Sequence, residues 1–419
     1  MKEIYLGLDL CRTNVQISYF REDKQEPESV SQSQNTENDQ LPYTMFYSVE
    51  EQKWYVGDSV KLVRFQSDGI FVENVMDGIE KDRSVWIGER EYGCEELLVI
   101  LLKTYIREFL LRSEEYQLMK LTVTLETYQE PVYRAISVLA KELGLAEEQF
   151  HVMSHADAFF QYVMRQEEKL RINSVAMFEY GTEGMEYYRL DRLHHGRTEV
   201  FSLRRESLKE EIPYTMLLGD AEKLDRLFAE VAREKLKETY FSTVYLTGQG
   251  FSDQWLKEST KVLCVGRRVF MGQNLYTRGA CYHARFGAGE RETGSVLVTP
   301  DSVPYDIGVA IGELEASNRF YPIAPGGREW YNMKGKVTVF LDGTNRVHLV
   351  YKNLLSGETA KEIIEIHGLP KRPPKTTKIS LEIEMFSRQM GAIVIRDVGF
   401  GKIYPTTNKI YRKEFSIGD

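Results

Sequence analysis

Apolar and polar positions alternate with period two at the start of the chain, through Ile4-Tyr5-Leu6-Gly7-Leu8-Asp9-Leu10 and again from Val15 to Phe20. A strand turns successive side chains to opposite faces, so both runs predict half-buried strands, and Cys11 to Asn14 between them predicts a hairpin turn. Residues 22–40 (EDKQEPESVSQSQNTENDQ) hold almost nothing apolar and are expected to form a mobile loop outside any core. Strand-like runs resume at Tyr43–Tyr47 and Trp54–Val56. From Glu95 to Leu111 the period lengthens to that of a helix, with Leu97, Leu98, Leu101, Leu102, Tyr105 and Phe109 on one side. Leu121–Leu125 predicts a strand. A helix follows, with Pro131 in its first turn and Gly144 as its stop. Another helix is expected over about Asp157 to Lys169.

A second strand–turn–strand unit follows: Ser174 to Glu179, a turn over Tyr180-Gly181-Thr182-Glu183-Gly184, then Glu186 to Leu190. Residues 199–203 add a strand. Residues 220–238 predict a helix with Asp220 as its N-cap. Thr243–Thr247 predicts a strand running into Gly248-Gln249-Gly250, and Arg278–Ala284 predicts a terminal helix. After about residue 292 helical spacing stops. Short alternating strands take over at Val337–Leu341, Val347–Tyr351, Ile363–Ile366, Ile379–Met385 and Ala392–Ile395, separated by turn residues such as Asp342-Gly343 and Ser356-Gly357. This predicts a separate all-β module.

Length and charge sharpen that division. The 419 residues suffice for two or three domains. Residues 300–419 hold 17 Lys and Arg against 14 Asp and Glu, a net +3 that leaves −12 of the chain's −9 on the first 299 residues. An acidic chain of this kind argues against nucleic-acid and membrane partners. No apolar run approaches membrane-spanning length, and no signal-peptide pattern opens the chain. The four cysteines, Cys11, Cys94, Cys264 and Cys281, lie far apart with no C-x-x-C pair. These features lead to the expectation of a cytoplasmic protein with reduced thiols. The basic residues Lys371, Arg372, Lys375 and Lys378 sit in a Pro-rich stretch and are read as a solvated loop.

Two hairpin-plus-helix halves, each opening with a strand, a turn and a strand, then a strand ending in G-x-G, resemble the actin-like ATPase (ribonuclease H-like) α/β fold. The order of motifs narrows the resemblance to the heat-shock 70-kDa (DnaK-type) chaperones. Leu121–Tyr162 resembles that family's segment beginning "TVPAYF". Val244–Gly250 with Gly279–Ala280 resembles its adenosine motif. Glu365–Val398 resembles a stretch of its β-sandwich substrate-binding domain, and Val296–Pro300 its linker. The resemblance spans nearly the whole chain. It implies nucleotide-binding lobes over 1–292, and over 293–419 a linker and β-sandwich without the family's helical lid.

It also implies a site. Two facing turns would offer backbone N–H groups to the phosphates of ATP or ADP. Asp9, Glu179 and Glu186 would stand at the metal-shell and water-positioning places, with Asp9 and Glu179 holding magnesium through water. Arg12, Thr13, Asn14, Gly181, Thr182, Gly248, Gln249 and Gly250 would surround the nucleotide, the turn of Gly248 and Gly250 lying against the nucleoside. In the sandwich, Ile307, Val309, Ile311 and Phe320 would line a groove for protein or peptide segments.

The turns depart from the family pattern. Asp9-Leu10-Cys11-Arg12-Thr13 stands where the family has D-L-G-T-T, and Glu179-Tyr180-Gly181-Thr182-Glu183-Gly184 where it has D-L-G-G-G-T. Cys11 adds a side chain where backbone should approach phosphate, and Glu183 puts an acid there. Ser154 replaces the hinge acid, with His155 beside it, read as hinge packing. The basic residues near the catalytic-lysine position are Lys53 and Lys61. The expected function is therefore a divergent, chaperone-like protein that binds protein segments, with ATPase activity absent or very slow. A slow magnesium-dependent ATPase and an actin-like scaffold without ligand turnover remain the alternatives. The sequence leaves open whether Arg12 and Glu183 face each other.

Overall fold

The computed structural model describes residues 2–30, 39–112, 115–195, 198–251, 255–287, 295–312 and 319–418. The chain is mixed α/β with several sheets and divides into two compact units, Met1–Tyr187 with Ser207–Gly289, and Tyr188–Glu206 with Glu290–Asp419. The sequence expectation assigned residues 188–206 to the first domain. They belong to the second unit because Leu193 and Val200 pack with Val296, Val298 and Leu354, and Glu199–Ser202 pairs in parallel with Ser295–Val298.

In the first unit the opening hairpin forms as its alternation requires, from strands Lys2–Leu10 and Asn14–Arg21. The first strand also pairs in parallel with Tyr116–Leu125, which pairs in turn with Phe150–Ser154. Ile4, Leu6, Leu8 and Leu10 face a core built with helices Cys94–Arg112 and Glu130–Glu142. Pro131 sits in the first turn of the second helix and Gly144 follows its end at φ +75°. The opposite face of the strand meets the terminal helix, Leu275–Phe286, where the Cys281 thiol donates to the Tyr5 carbonyl. Gly7 permits that contact, since a Cβ there would lie 2.3 Å from the Thr277 carbonyl oxygen.

The loop expected over 22–40 is partly structured. Glu28–Ser29 pairs with the Asn14–Arg21 strand, and Glu26 pairs with Arg278; residues 31–38 lie outside the described residues. Short strands need only backbone donors and acceptors, so a polar sequence gives no hint of them. A three-stranded sheet of Met45–Ser48, Lys53–Val56 and Gly69–Val72 and a hairpin of Ser84–Ile87 with Arg90–Gly93 complete this half.

Strand Ser174–Gly181 pairs in parallel with Phe241–Thr247, which pairs with Arg268–Met271. Ala176, Phe178 and Tyr180 face a core with helix Ala221–Leu236, leaving Glu179 on the other side. Asp220 caps that helix as expected, accepting from the Glu222 and Lys223 N–H groups at 3.0 Å.

The second unit holds two four-stranded antiparallel sheets. One runs Arg319–Ala324, Tyr305–Ile311, Arg346–Asn353, Thr359–Glu365; the other runs Lys334–Leu341, Thr377–Met385, Met390–Asp397, Ile410–Ser416. Ile307, Leu349, Ile364, Ile379, Leu381, Ile393 and their neighbours form the core between them. Among the described residues no helix is long and apolar enough to cross a membrane.

Candidate functional site

Period two decides what the first strand presents to the cleft. Leu8 and Leu10 face the core, so Asp9 between them faces the opposite way, toward the start of helix His155–Met164. Ser154 caps that helix, its hydroxyl accepting the Asp157 N–H at 3.1 Å. The cap starts the helix two residues before the expected Asp157 and makes His155 its first residue. His155 Nε2 donates to Asp9 Oδ1 at 2.7 Å, and the Cys11 thiol donates to Asp9 Oδ2 at 3.1 Å. Asp9 is 1% exposed and His155 4%, so this pairing is shielded from bulk water at the floor of the cleft.

The His155 ring lies flat on Tyr276, with centroids 3.9 Å apart and 13° between planes. The Tyr276 hydroxyl donates to Glu179 Oε2 at 2.7 Å. One continuous run of contacts therefore links the first hairpin to the second: Cys11, Asp9, His155, Tyr276, Glu179. Burial works against a charged His155, but the charge and hydrogen bond of Asp9, with Glu179 and Glu126 beyond, hold its pKa above the usual histidine value. Burial pushes the Glu179 carboxyl up; His155 and Tyr276 oppose this, and Glu126 and Asp9 add to it. Burial and the neighbouring Asp9 raise the Cys11 thiol well above its ordinary range.

The two turns face each other. Arg12 Nη1 meets Glu183 Oε1 at 3.0 Å, and Arg12 Nη2 lies 3.7 Å from Glu80 Oε2. Glu186, 6% exposed, is paired with Lys209 Nζ at 3.2 Å. Asn14 donates to the Thr13 hydroxyl at 3.1 Å. Neither lysine near the catalytic-lysine position lines the cleft: Lys61 pairs with Asp58 at 2.8 Å, and Lys53 lies over the Tyr55 ring.

The late glycines meet a neighbour within the chain. Gly248 has φ +93°, and a Cβ on it would lie 2.6 Å from the Tyr180 carbonyl oxygen; one on Gly250 would lie 2.5 Å from the Tyr180 ring. Gly250 N–H also donates to the Tyr180 carbonyl at 2.8 Å. The close approach these glycines permit is to Tyr180 of the second turn. Gly279 likewise serves packing: a Cβ there would meet the Ala158 carbonyl oxygen at 1.9 Å, where helix Leu275–Phe286 crosses helix His155–Met164.

Asp9, Arg12, Thr13, Asn14, Glu179, Gly181, Thr182, Glu186, Gly248 and Gln249 come together around one cavity of about 110 Å³; Gly250 is buried beside it. Cys11, Glu126, His155, Lys209, Gln273 and Tyr276 line the same cavity. Sequence reasoning assigned none of these six a contact with the others. What converges on Asp9 is Cys11 and His155, whereas Glu179 is engaged by Tyr276.

In the sandwich, Ile307 and Val309 are buried in the core and line no groove, because their alternation turns them inward. Ile311 is exposed at 39%, and Phe320, across the same hairpin, is half-buried. Arg372 is not solvated: it forms a two-pronged ion pair with buried Asp397 at 2.8 and 2.9 Å.

A search of the curated proteins finds no match. Residues 302–417, essentially the sandwich, match a domain of unknown function (DUF8552). Residues 26–299 match the C-terminal part of a family of unknown function (DUF5716). That stretch is well over half the chain, and the protein belongs to the DUF5716 family.

Proposed function

We propose that this chain is a divergent actin-like, heat-shock-70-type binding protein. In this reading its lobes have lost nucleotide turnover, and its C-terminal sandwich binds extended protein segments. The observation that carries the reading is that the cations of the cleft are already engaged by its own acids, Arg12 by Glu183 and Lys209 by Glu186. The other ionisable groups of the lining are Asp9, Cys11, Glu126, Glu179, His155 and Tyr276.

Magnitudes support exclusion of nucleotide by the sum of these features and not by one latch. Arg12 and Glu183 are each more than half exposed, and a pair of that kind contributes at most about 1 kcal/mol. A polyphosphate, however, would have to break two ion pairs and then lie among Asp9, Glu126 and Glu179. The cavity of about 110 Å³ is also smaller than the roughly 300–1,000 Å³ of sites that enclose drug-sized ligands. Magnesium favours an all-oxygen shell, whereas Asp9 is held by an imidazole and a thiol. These residues do not fit magnesium–ATP.

For the sandwich, the reading rests on the hairpin of Tyr305–Ile311 with Arg319–Ala324. It presents Ile311 and Tyr321 to solvent, and its outer strand forms a sheet edge. An extended segment can add to such an edge through backbone hydrogen bonds.

Incubation with magnesium–ATP tests the first half. Phosphate release from the purified chain is expected to equal the protein-free blank and to be unchanged in Asp9→Asn. Release that Asp9→Asn abolishes would instead establish a slow ATPase.

A further inference from the structure

Cys11 departs from the pattern that the sequence resembles, and it converges with His155 on Asp9. We propose that Asp9, Cys11 and His155 form a binding site for a thiophilic divalent cation of the zinc class. One ligand atom from each residue lies within 4.8 Å of the other two. The Asp9 carboxylate accepts on both oxygens, from His155 Nε2 at 2.7 Å and from Cys11 Sγ at 3.1 Å. Zinc bound at ~2.0–2.3 Å sets tetrahedral ligand atoms roughly 3–4 Å apart. His155 and Cys11 approach different oxygens of Asp9, and with the three ligand atoms all within 4.8 Å of one another, closing them on one cation takes shifts of about 1 Å.

The donor set selects the metal. Thiolate, imidazole and carboxylate together suit zinc or cobalt and not magnesium or calcium, which take oxygen ligands. The supporting shell is rigid. Cys11 lies in a turn pinned by its own N–H to the Asn14 carbonyl at 3.1 Å and by the Tyr43 hydroxyl, which donates to the Cys11 carbonyl at 2.8 Å. The His155 ring plane is set by Tyr276. All three ligands line the cleft, so water or an anion can supply the fourth position, as at zinc sites with three protein ligands. On binding, the cation takes the place of the Cys11 Sγ proton, which leaves to solvent, and of the His155 Nε2 proton, which leaves to solvent from an imidazolium or moves to Nδ1 in a neutral ring, so that thiolate and neutral imidazole are the ligands. Nucleotide has no part in this site.

The test is a titration of the full, metal-stripped chain with cobalt(II), followed by absorbance. The expected result is uptake of one equivalent, with a thiolate-to-cobalt charge-transfer band and the visible bands of a tetrahedral centre, both erased by zinc. Cys11→Ser should remove the charge-transfer band. His155→Gln should weaken cobalt binding at least tenfold, and Cys264→Ser should change nothing. No band at one equivalent in the wild-type chain, whose folding is checked by circular dichroism, would overturn the proposal. A band that survives Cys11→Ser would overturn it equally.

Discussion

Replacing Asp397 with alanine is expected to destabilise the C-terminal sandwich by about 3–5 kcal/mol, the usual loss when one partner of a buried ion pair is removed. Asp397 is 3% exposed and the Arg372 side chain 4%. The carboxylate accepts both guanidinium prongs, the Thr407 N–H at 2.9 Å, the Thr407 hydroxyl at 2.7 Å and the Gly399 N–H at 3.1 Å. Alanine leaves the guanidinium buried without its counter-ion, while Arg372 still donates to the Pro405 carbonyl at 2.9 Å.

The same pair sets a pH dependence. Burial alone would raise the Asp397 carboxyl, but the Arg372, Thr407 and Gly399 donors outweigh it and hold its pKa well below the usual carboxylate range. A lowered folded-state value contributes stability that is fully present above the unfolded value of about 3.9. That contribution is lost as pH falls from there toward the folded value. Hydrogen exchange of the Thr377–Met385 and Met390–Asp397 strands in the full chain, in mild urea, should accelerate in Asp397→Ala at neutral pH. In Asp397→Asn it should change less than wild type as pH is lowered below about 4. An alanine variant within 1 kcal/mol of wild type would show that the pair is not what closes this loop.

The second large effect is expected at Gly279. A methyl group there would sit 1.9 Å from a backbone oxygen, a clash that no side-chain rotation relieves. Gly279→Ala must therefore push helix Leu275–Phe286 away from helix His155–Met164, at the upper end of the ~1–3 kcal/mol typical of overpacking or beyond it. Tyr276 rides on the same helix, so its stacking on His155 should loosen too. Gly272→Ala is the control: nothing lies within 4 Å of its Cβ position, and its effect should stay within about 0.5 kcal/mol. Urea unfolding of the two variants, followed by hydrogen exchange of the first unit, compares them directly. Equal midpoints would contradict the packing argument.

Much of the framework was legible because period and punctuation are local properties. The alternation of Ile4 to Leu10, the leucine stripe from Leu97, Pro131, Gly144 and Asp220 each declare their role within a few residues. Asp9 could be placed on the face opposite Leu8 and Leu10 by alternation alone. The wiring of the site was not legible, because its partners are brought together by topology. Asp9 and His155 are 146 positions apart, and Glu179 and Tyr276 are 97 apart. Glycines announced that something must come close to residues 248 and 250 without saying that Tyr180 was the neighbour. Arg372 looked solvated because its burial depends on a loop near Pro405 and Thr407 that closes over it. Ile307 and Val309 looked like groove residues when read singly, yet their own alternation turns them inward.

In the proposed reading, the cleft between the two turns is small and charged against nucleotide. Calorimetric titration of magnesium–ATP and magnesium–ADP into the full chain tests it most directly. The account predicts no saturable heat up to millimolar nucleotide, and no rise in unfolding temperature at the same concentrations. Saturable one-to-one binding with a submillimolar Kd, weakened by Asp9→Asn, would contradict it.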